Sequence, residues 1–201
     1  MRLYHSTTSP YVRKVMVLLH ESRQLDEVTL IPAHGTPVDA GSMPLALNPL
    51  GKIPALERDE GPALYDSRVI CRFLDDRVGG KFYPQPRLWD VLTLEATADG
   101  ILDAAILMVY EWRVRPEEKR LPQWVEGQWA KIDRSLDALE QRWMSHLNGP
   151  LDMGQIAVAC ALEYLDFRHG DRNWRTGRGA LATWSEVFST RASMKATQPV
   201  A

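Results

Sequence analysis

The sequence predicts a small α/β unit followed by an all-helical unit. Up to about Arg77, short β-prone segments alternate with segments whose apolar residues recur at helical spacing, which is typical of an α/β unit. The Gly/Pro-rich stretch 79–86 interrupts this alternation, and only helical periodicity follows it. The expected domains are therefore residues 1–78 and 88–201, joined by a linker at 79–87.

The α/β unit contains two predicted helices, each starting at a serine. Ser9-Pro10 opens the first helix, because serine is a preferred N-cap and the missing N–H of proline costs no hydrogen bond in the first turn. Asp66-Ser67 opens the second helix in the same way. The predicted strands are Arg2 to His5, Val28 to Ile31, Pro54 to Glu57 and Ala63 to Tyr65.

The all-helical unit begins with two long amphipathic segments, which we interpret as antiparallel helices. Their apolar residues recur at intervals of three and four, from Leu88 to Trp112 and from Val125 to Trp143. Asp152 with Gln155 forms a capping-box pattern that opens a third helix. No apolar pattern continues from Ser193 to Ala201, so a loose tail is expected.

Composition argues against several classes of function. The 201 residues are 45% hydrophobic and 25% charged, which is typical of a globular protein with a sizeable core. A net charge of −2 without a dense Lys/Arg run argues against nucleic acid or an anionic membrane as a partner. Cys71 and Cys160 lack metal-ligand spacing, so no metal is expected. The sequence shows neither a secretory leader nor an apolar run of spanning length, which favours a cytoplasmic location.

The segment Asn48-Pro49-Leu50-Gly51-Lys52-Ile53-Pro54 predicts an exposed main-chain binding edge. A turn precedes Ile53-Pro54, and the β-prone Ala55-Leu56-Glu57 follows it. A cis bond before Pro54 would reverse the chain and turn the Ile53 amide outward. An extended peptide could then pair with the N–H and C=O of Ile53 as an added strand. The alternative is a trans proline in an ordinary loop.

Each of the two helix N-termini has two interpretations. Ser9 is either an N-cap alone, or its hydroxyl and the helix N-terminus stabilise a thiolate brought by a ligand, a role for which Thr7 and Thr8 compete. Asp66-Ser67 is either a doubled N-cap or a site for an amino-acid head group, with the carboxylate at Ser67 and the ammonium at Asp66. A thiolate site, a head-group site and an edge strand between them would suit glutathione.

On these residues the chain resembles the glutathione S-transferase superfamily over nearly its whole length. The resemblance implies an N-terminal thioredoxin-like domain, a C-terminal helical bundle domain and a homodimer. Serine at position 9 is similar to the serine-type branch, which includes tau and zeta enzymes. The matching segments are Ser9-Pro10-Tyr11, Asn48 to Pro54 and Leu64-Tyr65-Asp66-Ser67, followed by an all-helical second half.

The resemblance also implies a role for each motif residue. Ser9 is the catalytic residue, and Ile53, which precedes the cis-proline Pro54, pairs with the cysteinyl moiety of glutathione. Asp66 and Ser67 hold the γ-glutamyl head group.

Five further residues have two interpretations each. Lys52 and His34 match positions that contact the glycyl carboxylate in relatives, or they are solvated side chains. Asp99 and Asp103 either approach the γ-glutamyl site of a partner subunit or form a solvated helix face. Arg13 either adds positive potential near the thiolate or pairs with an acidic neighbour.

A small hydrophobic electrophile is the expected second substrate, in a groove between the halves. The candidate lining residues are Tyr11, Met108 and Trp112, together with Tyr110 and Trp174. Each of them could equally be a core residue.

Serine in place of cysteine at position 9 favours one type of chemistry. A cysteine would form a mixed disulfide with glutathione, whereas a hydroxyl can only donate a hydrogen bond to its thiolate. The expected activity is a glutathione transferase that uses glutathione as co-substrate. The alternatives are a glutathione-dependent isomerase or lyase of the zeta type, and a non-enzymatic glutathione-binding interaction module.

Overall fold

The computed structural model describes residues 1–200 and divides into two compact units. The first unit contains residues 1–88 and the segment that starts at Ala192, and the second contains Trp89–Arg191. A small mixed sheet with helices followed by a helical unit confirms the predicted fold class.

The first unit is built on a three-stranded sheet of order β2-β1-β3, where β1 is Arg2–His5, β2 is Thr29–Pro32 and β3 is Ala55–Glu57. Strand β1 runs parallel to β2 and antiparallel to β3. Helix α1 (Pro10–Glu21) connects β1 to β2, and α2 (Ser67–Asp76) packs against α1.

The predicted fourth strand, Ala63 to Tyr65, is wrong as a regular element. Only Leu64 pairs, through an isolated antiparallel bridge to Leu56. Pro62 has no N–H to donate, and α2 begins at Ser67, so the chain between them is too short for a ladder.

The second unit contains the long helix α3 (Leu88–Val114) and the core helix α6 (Met153–His169). The two helices touch: a Cβ on Gly154 would lie 2.9 Å from the Cβ of Leu94. The other helices are α4 (Pro122–Ala138), a π-helical turn at Leu139–Trp143, α5 (Met144–Leu147) and α7 (Gly179–Ser189).

The predicted capping box at the start of α6 is confirmed. The Asp152 carboxylate accepts from the Gln155 N–H at 3.2 Å, and the Gln155 side chain accepts from the Asp152 N–H at 3.1 Å. These two bonds satisfy backbone donors that the helix itself cannot.

The expectation of a loose C-terminal tail is wrong for the described residues, and Ala201 lies outside them. Residues Ala192–Ala196 form helix α8, in which Met194 is fully buried. The Arg13 guanidinium donates to the Met194 carbonyl at 3.2 Å, and the Thr7 hydroxyl donates to the Val200 carbonyl at 3.4 Å. This segment therefore belongs to the first unit, although the sequence analysis places it in the second domain. A single buried methionine makes no repeating apolar pattern, so the sequence did not predict α8.

The expected linker at 79–87 lies within the first unit. The buried carboxylate of Asp75 accepts from the N–H groups of Phe82 at 2.7 Å and Tyr83 at 3.1 Å. The exact domain boundaries stay a prediction.

None of the helices in the described chain is long and apolar enough to cross a membrane.

Candidate glutathione site

The three predicted ligand segments meet at one end of the sheet. Strand β1 ends at His5 and leads to Ser9, while the antiparallel strand β3 starts opposite Tyr4, so Pro54 lies beside the end of β1. The bridge between Leu56 and Leu64 turns the chain back, and Asp66 returns to the same end. Topology therefore brings together positions that are 57 residues apart in the sequence (66 minus 9).

Ser9 is the N-cap of α1, which confirms its predicted structural role. Its backbone is extended, and its Oγ accepts a hydrogen bond from the Val12 N–H at 3.3 Å. The hydroxyl proton of Ser9 has no acceptor among residues 1–200. Because the hydroxyl sits at the positive end of the helix dipole, it can donate to an anion without breaking the cap.

The Ile53–Pro54 bond is cis, as predicted, and so is the Tyr65–Asp66 bond. Neither the N–H nor the C=O of Ile53 makes a hydrogen bond within the described chain. A donor and an acceptor on one partly exposed residue are what an extended peptide needs for strand-like pairing.

Asn48 stabilises the loop before Ile53 by two hydrogen bonds, a role that the sequence did not predict. It is 2% exposed, and its side chain donates to the Lys52 carbonyl at 2.8 Å and accepts from the Leu50 N–H at 3.1 Å. Gly51 between them has φ of +61°, where a side chain would be strained. The pattern Asn-Pro-Leu-Gly predicted a turn, but it does not show that the Asn48 amide binds the Lys52 carbonyl.

At α2 the aspartate is the cap and the serine is the first helical residue. The Asp66 carboxylate accepts from the Arg68 N–H at 2.9 Å and also forms an exposed ion pair with the Arg68 side chain at 2.8 Å. Ser67 is 2% exposed, and its hydroxyl makes no hydrogen bond within the described residues. The doubled cap is therefore wrong in detail, because only Asp66 caps.

The charge of Asp66 is stabilised by two cations. Partial burial would raise the pKa of its carboxyl, but hydrogen bonds from Arg68 and the charges of Arg68 and Lys14 lower the pKa below its ordinary value. Lys14 is fully buried on α1, which is rare for a lysine. Sequence reasoning missed Lys14, although a lysine between Val12 and Val15 on an apolar helix is a signal that could have found it.

The residues with open roles lie in different surroundings. Lys52 and His34 are exposed, and the His34 Nδ1 is 3.0 Å from the Ser42 hydroxyl. Arg13 is buried and binds the C-terminal segment. Asp99 is 8% exposed whereas Asp103 is exposed, so the two do not form a uniformly solvated face.

The candidate electrophile residues also differ in exposure. Met108 and Trp174 are 2% and 1% exposed, and the Trp174 indole donates to Asp166 at 2.8 Å, which makes Trp174 a core residue. Trp112 is 51% exposed, with the Arg120 guanidinium 4.9 Å from its ring centre. Tyr11 and Tyr110 are partly exposed. A lining role for Tyr11, Met108 and Trp112 stays a prediction.

No group of three His, Cys, Asp or Glu side chains in the described part of the chain could hold a metal ion. Cys71 and Cys160 are both buried.

Comparison with known proteins gives the same family for both halves of the chain. Residues 8–77 match the glutathione S-transferase N-terminal domain, and residues 122–186 match the glutathione S-transferase C-terminal domain. An uncharacterized GST-like protein of Escherichia coli (strain K12), YibF, is 34% identical over 99% of this chain and 98% of its own. A maleylacetoacetate isomerase of Pseudomonas aeruginosa is 32% identical over 69% of this chain and 66% of its own.

Solved structures extend this similarity to the whole fold. A glutathione transferase family member from Pseudomonas fluorescens Pf-5, with bound glutathione, superposes with a TM-score of 0.96 at 48% identity, covering 100% of this chain and 99% of the other. A second structure of a family member from that organism holds S-(propanoic acid)-glutathione, with a TM-score of 0.92, 48% identity and 100% coverage of both chains. With both domains matched and these relatives aligned over nearly its whole length, the chain belongs to the glutathione S-transferase family.

Proposed function

We propose that this protein is a glutathione transferase in which the Ser9 hydroxyl stabilises the glutathione thiolate for attack on a soft electrophile. The observation that carries the proposal is the unused hydroxyl proton of Ser9 at the N-terminus of α1. The similar structures with bound glutathione and S-substituted glutathione support it.

The thiol needs only a modest electrostatic change to react. A free thiol has a pKa of about 8.5 and is mostly protonated at neutral pH, so a decrease of about two units makes most of it available as thiolate. A hydrogen bond from Ser9 and the partial positive charge of the helix N-terminus both favour the anion. The thiolate then attacks the electrophile, and Ser9 itself forms no covalent bond.

The remaining motif residues hold glutathione in place. The cysteinyl backbone pairs with the N–H and C=O of Ile53, which have no other partner in the described chain. The γ-glutamyl carboxylate binds the Ser67 hydroxyl and the N-terminus of α2, and the ammonium binds Asp66. Lys52, which is exposed, neutralises the glycyl carboxylate. A homodimer stays a prediction from the resemblance, and a cytoplasmic location stays a prediction from the sequence.

A glutathione-dependent isomerase is the second candidate, and the similarity to a maleylacetoacetate isomerase favours it. The thiolate would add to an activated double bond and leave again after rotation about the former double bond. Turnover of maleyl substrates without consumption of glutathione would distinguish this activity from conjugation, in which glutathione disappears into the product.

The experiment is an ultraviolet difference titration of protein-bound glutathione from pH 5 to 9. We expect thiolate absorbance at neutral pH in the native protein and a shift of the transition to higher pH in Ser9→Ala. Ser22→Ala is the matched control, because that serine lies at the other end of α1 and donates to the Leu18 carbonyl. Bound glutathione that remains a thiol in the native protein would contradict the proposal and favour an interaction module.

A further inference from the structure

The C-terminal segment, residues 192–200, lies along α1 in the antiparallel direction. At the C-terminal end of α1, the Ser193 hydroxyl donates to the Glu21 carboxylate. The next residue, Met194, accepts at its carbonyl from the Arg13 guanidinium at 3.2 Å. The segment therefore runs from the last residue of α1 toward the N-terminus of that helix.

The later contacts of the segment lie close to Ser9 in the sequence. The Thr197 hydroxyl accepts from the Arg13 Nε at 3.4 Å. The Val200 carbonyl accepts from the Thr7 hydroxyl at 3.4 Å. Thr7 precedes Ser9, and Arg13 lies one helical turn after it. The segment therefore binds the chain on both sides of the proposed thiolate donor.

The first contacts of the segment with α1 are buried. Met194 is fully buried, and Arg13 and Ser193 are 4% and 5% exposed. A buried hydrogen bond is costly to break, because the separated groups have no water to replace the lost partner. These contacts therefore fix the segment against α1.

Thr7 and Arg13 belong to the hydrogen-bonded turns that hold the Ser9 backbone. The Ser9 N–H donates to the Ser6 carbonyl at 3.2 Å, which closes a turn that contains Thr7. The Ser9 carbonyl accepts from the Arg13 N–H at 3.0 Å. Because the segment binds a side chain in each of these turns, it restricts the directions in which the Ser9 hydroxyl can point.

The segment also affects which hydroxyl is available at this helix N-terminus. Thr7 and Thr8 are the alternatives to Ser9 as the thiolate donor. The Thr7 hydroxyl donates to the Val200 carbonyl, and the Thr8 hydroxyl lies 3.1 Å from the Ser6 hydroxyl. The Ser9 proton, by contrast, has no acceptor in the described chain. The contact with Val200 therefore removes one competing donor.

We propose that the segment 192–200 is a positioning element that holds the Ser9 hydroxyl in the orientation required by the glutathione thiolate. This inference rests on the proposed transferase function and adds a structural control of the same site. A donor that is already oriented stabilises an anion better than one that must first be reoriented, because reorientation costs free energy. A loosened segment should therefore leave glutathione bound but a smaller fraction of it ionised.

The first test is Thr197→Val in the full chain, which removes a hydroxyl acceptor of Arg13 and keeps the charge of that arginine. In the ultraviolet titration of bound glutathione, we expect the thiolate midpoint to rise by about half a pH unit, against about one to two units for Ser9→Ala. Thr183→Val on α7 is the matched control and should leave the midpoint unchanged. Both threonine hydroxyls donate to the carbonyl four residues earlier, at 2.8 and 2.9 Å, but Thr183 lies in the second unit.

A double variant distinguishes positioning of Ser9 from a general loss of structure. If the segment acts through Ser9, Thr197→Val combined with Ser9→Ala should titrate at the same pH as Ser9→Ala alone. A further shift in the double variant, or a native midpoint in Thr197→Val, would overturn the proposal. Thr7→Val should also raise the midpoint by about half a unit. A larger shift for Thr7→Val than for Ser9→Ala would make Thr7 the thiolate donor and overturn both proposals.

Amide hydrogen exchange of the unliganded protein tests the positioning without glutathione. The Val12 N–H donates to the Ser9 Oγ, so its exchange rate reports on the N-cap itself. We expect Thr197→Val to increase this rate about threefold and to leave the rate at Ser22 unchanged, since that N–H binds the Leu18 carbonyl at the other end of α1. An unchanged rate at Val12 would overturn the positioning role alone. Faster exchange at Val12 in a protein that does not bind glutathione would overturn the transferase and leave the segment as a support of the cap.

Discussion

The N-termini of α1 and α2 look alike in sequence and differ in structure. At α1 the serine is the cap, and its hydroxyl accepts one bond while its proton remains available. At α2 the aspartate is the cap, its carboxylate already binds Arg68, and Ser67 lies within the first helical turn. A serine at a helix N-terminus therefore has no fixed role. Whether it is the N-cap or the first helical residue decides which of its atoms are available to a ligand.

The difference divides the proposed work between the two helices. In the proposed site, the Ser9 hydroxyl donates to the negative charge on the glutathione sulfur, so it contributes to the rate of the reaction. In the proposed site, the Ser67 hydroxyl and the Asp66 carboxylate bind a head group that does not react, so they contribute to the affinity for glutathione. Changes at α1 should therefore affect turnover, and changes at α2 should affect binding.

The largest expected effect is that of Ser9→Ala on turnover. Loss of the only side-chain donor assigned to the thiolate should lower kcat by about 10²-fold, with glutathione affinity nearly unchanged. The measurement is steady-state conjugation with a chromogenic electrophile. Removal of the cap should also cost about 1 kcal/mol of stability, so thermal unfolding is measured alongside. Equal losses in kcat and in affinity would remove the proposed difference between the helices.

Ser67→Ala should produce the opposite pattern. A hydroxyl that binds a carboxylate contributes about 1.5–3 kcal/mol, so glutathione should bind roughly 10- to 100-fold more weakly. The absorbance of bound thiolate at saturating glutathione should be that of the native protein. Calorimetry and the ultraviolet titration give the two quantities, with Ser22→Ala as the common control. A thiolate signal that decreases with Ser67→Ala would show that α2 also contributes to the chemistry.

Arg13→Gln tests whether α1 depends on the C-terminal segment. The buried guanidinium binds the Met194 carbonyl, so its loss should destabilise the protein by about 2 kcal/mol and lower the melting temperature by roughly 4–8 °C. Arg134→Gln, an exposed change of the same kind, should have no such effect. A melting temperature equal to that of the native protein would mean that α8 is held without Arg13.

The smallest effect is expected for Arg68→Ala at α2. Without Arg68 the Asp66 carboxylate loses the side chain that competes with the glutathione ammonium, so binding at neutral pH should tighten by about twofold or threefold. The pKa of Asp66 is lowered in the native protein, so its charge is present above its ordinary pKa and is lost as the pH falls through the lowered value. Loss of Arg68 raises that pKa, and glutathione binding should therefore weaken at a higher pH than in the native protein. Glutathione binding measured from pH 3 to 7 tests this. If the variant and the native protein lose binding at the same pH, Asp66 does not contact the ligand.

The segments of the candidate glutathione site were predictable because each depends on local sequence. Ser9-Pro10 and Asp66-Ser67 are capping patterns, and Ile53-Pro54 lies between a turn and a strand, so their elements follow from neighbouring residues. The same local rules predicted the capping box of Asp152 and Gln155, which the structure confirms.

Other parts of the site were not predicted, because a sequence pattern does not show which partner a polar side chain binds. The bond of Asn48 to Lys52 and the ion pair of Asp66 with Arg68 depend on side-chain conformation. The burial of Lys14 has a signal in the apolar helix around it, but its extent depends on what packs against α1.

The sequence by itself determined the two-domain class, the positions of the helix starts and the family, since hydrophobic period, capping and turn residues are properties of short segments. Only the tertiary structure decided that Asp66 and not Ser67 caps α2, and that helix α8 packs against α1. The physical reason is that hydrogen bonding and burial of a polar side chain depend on what the fold brings near it.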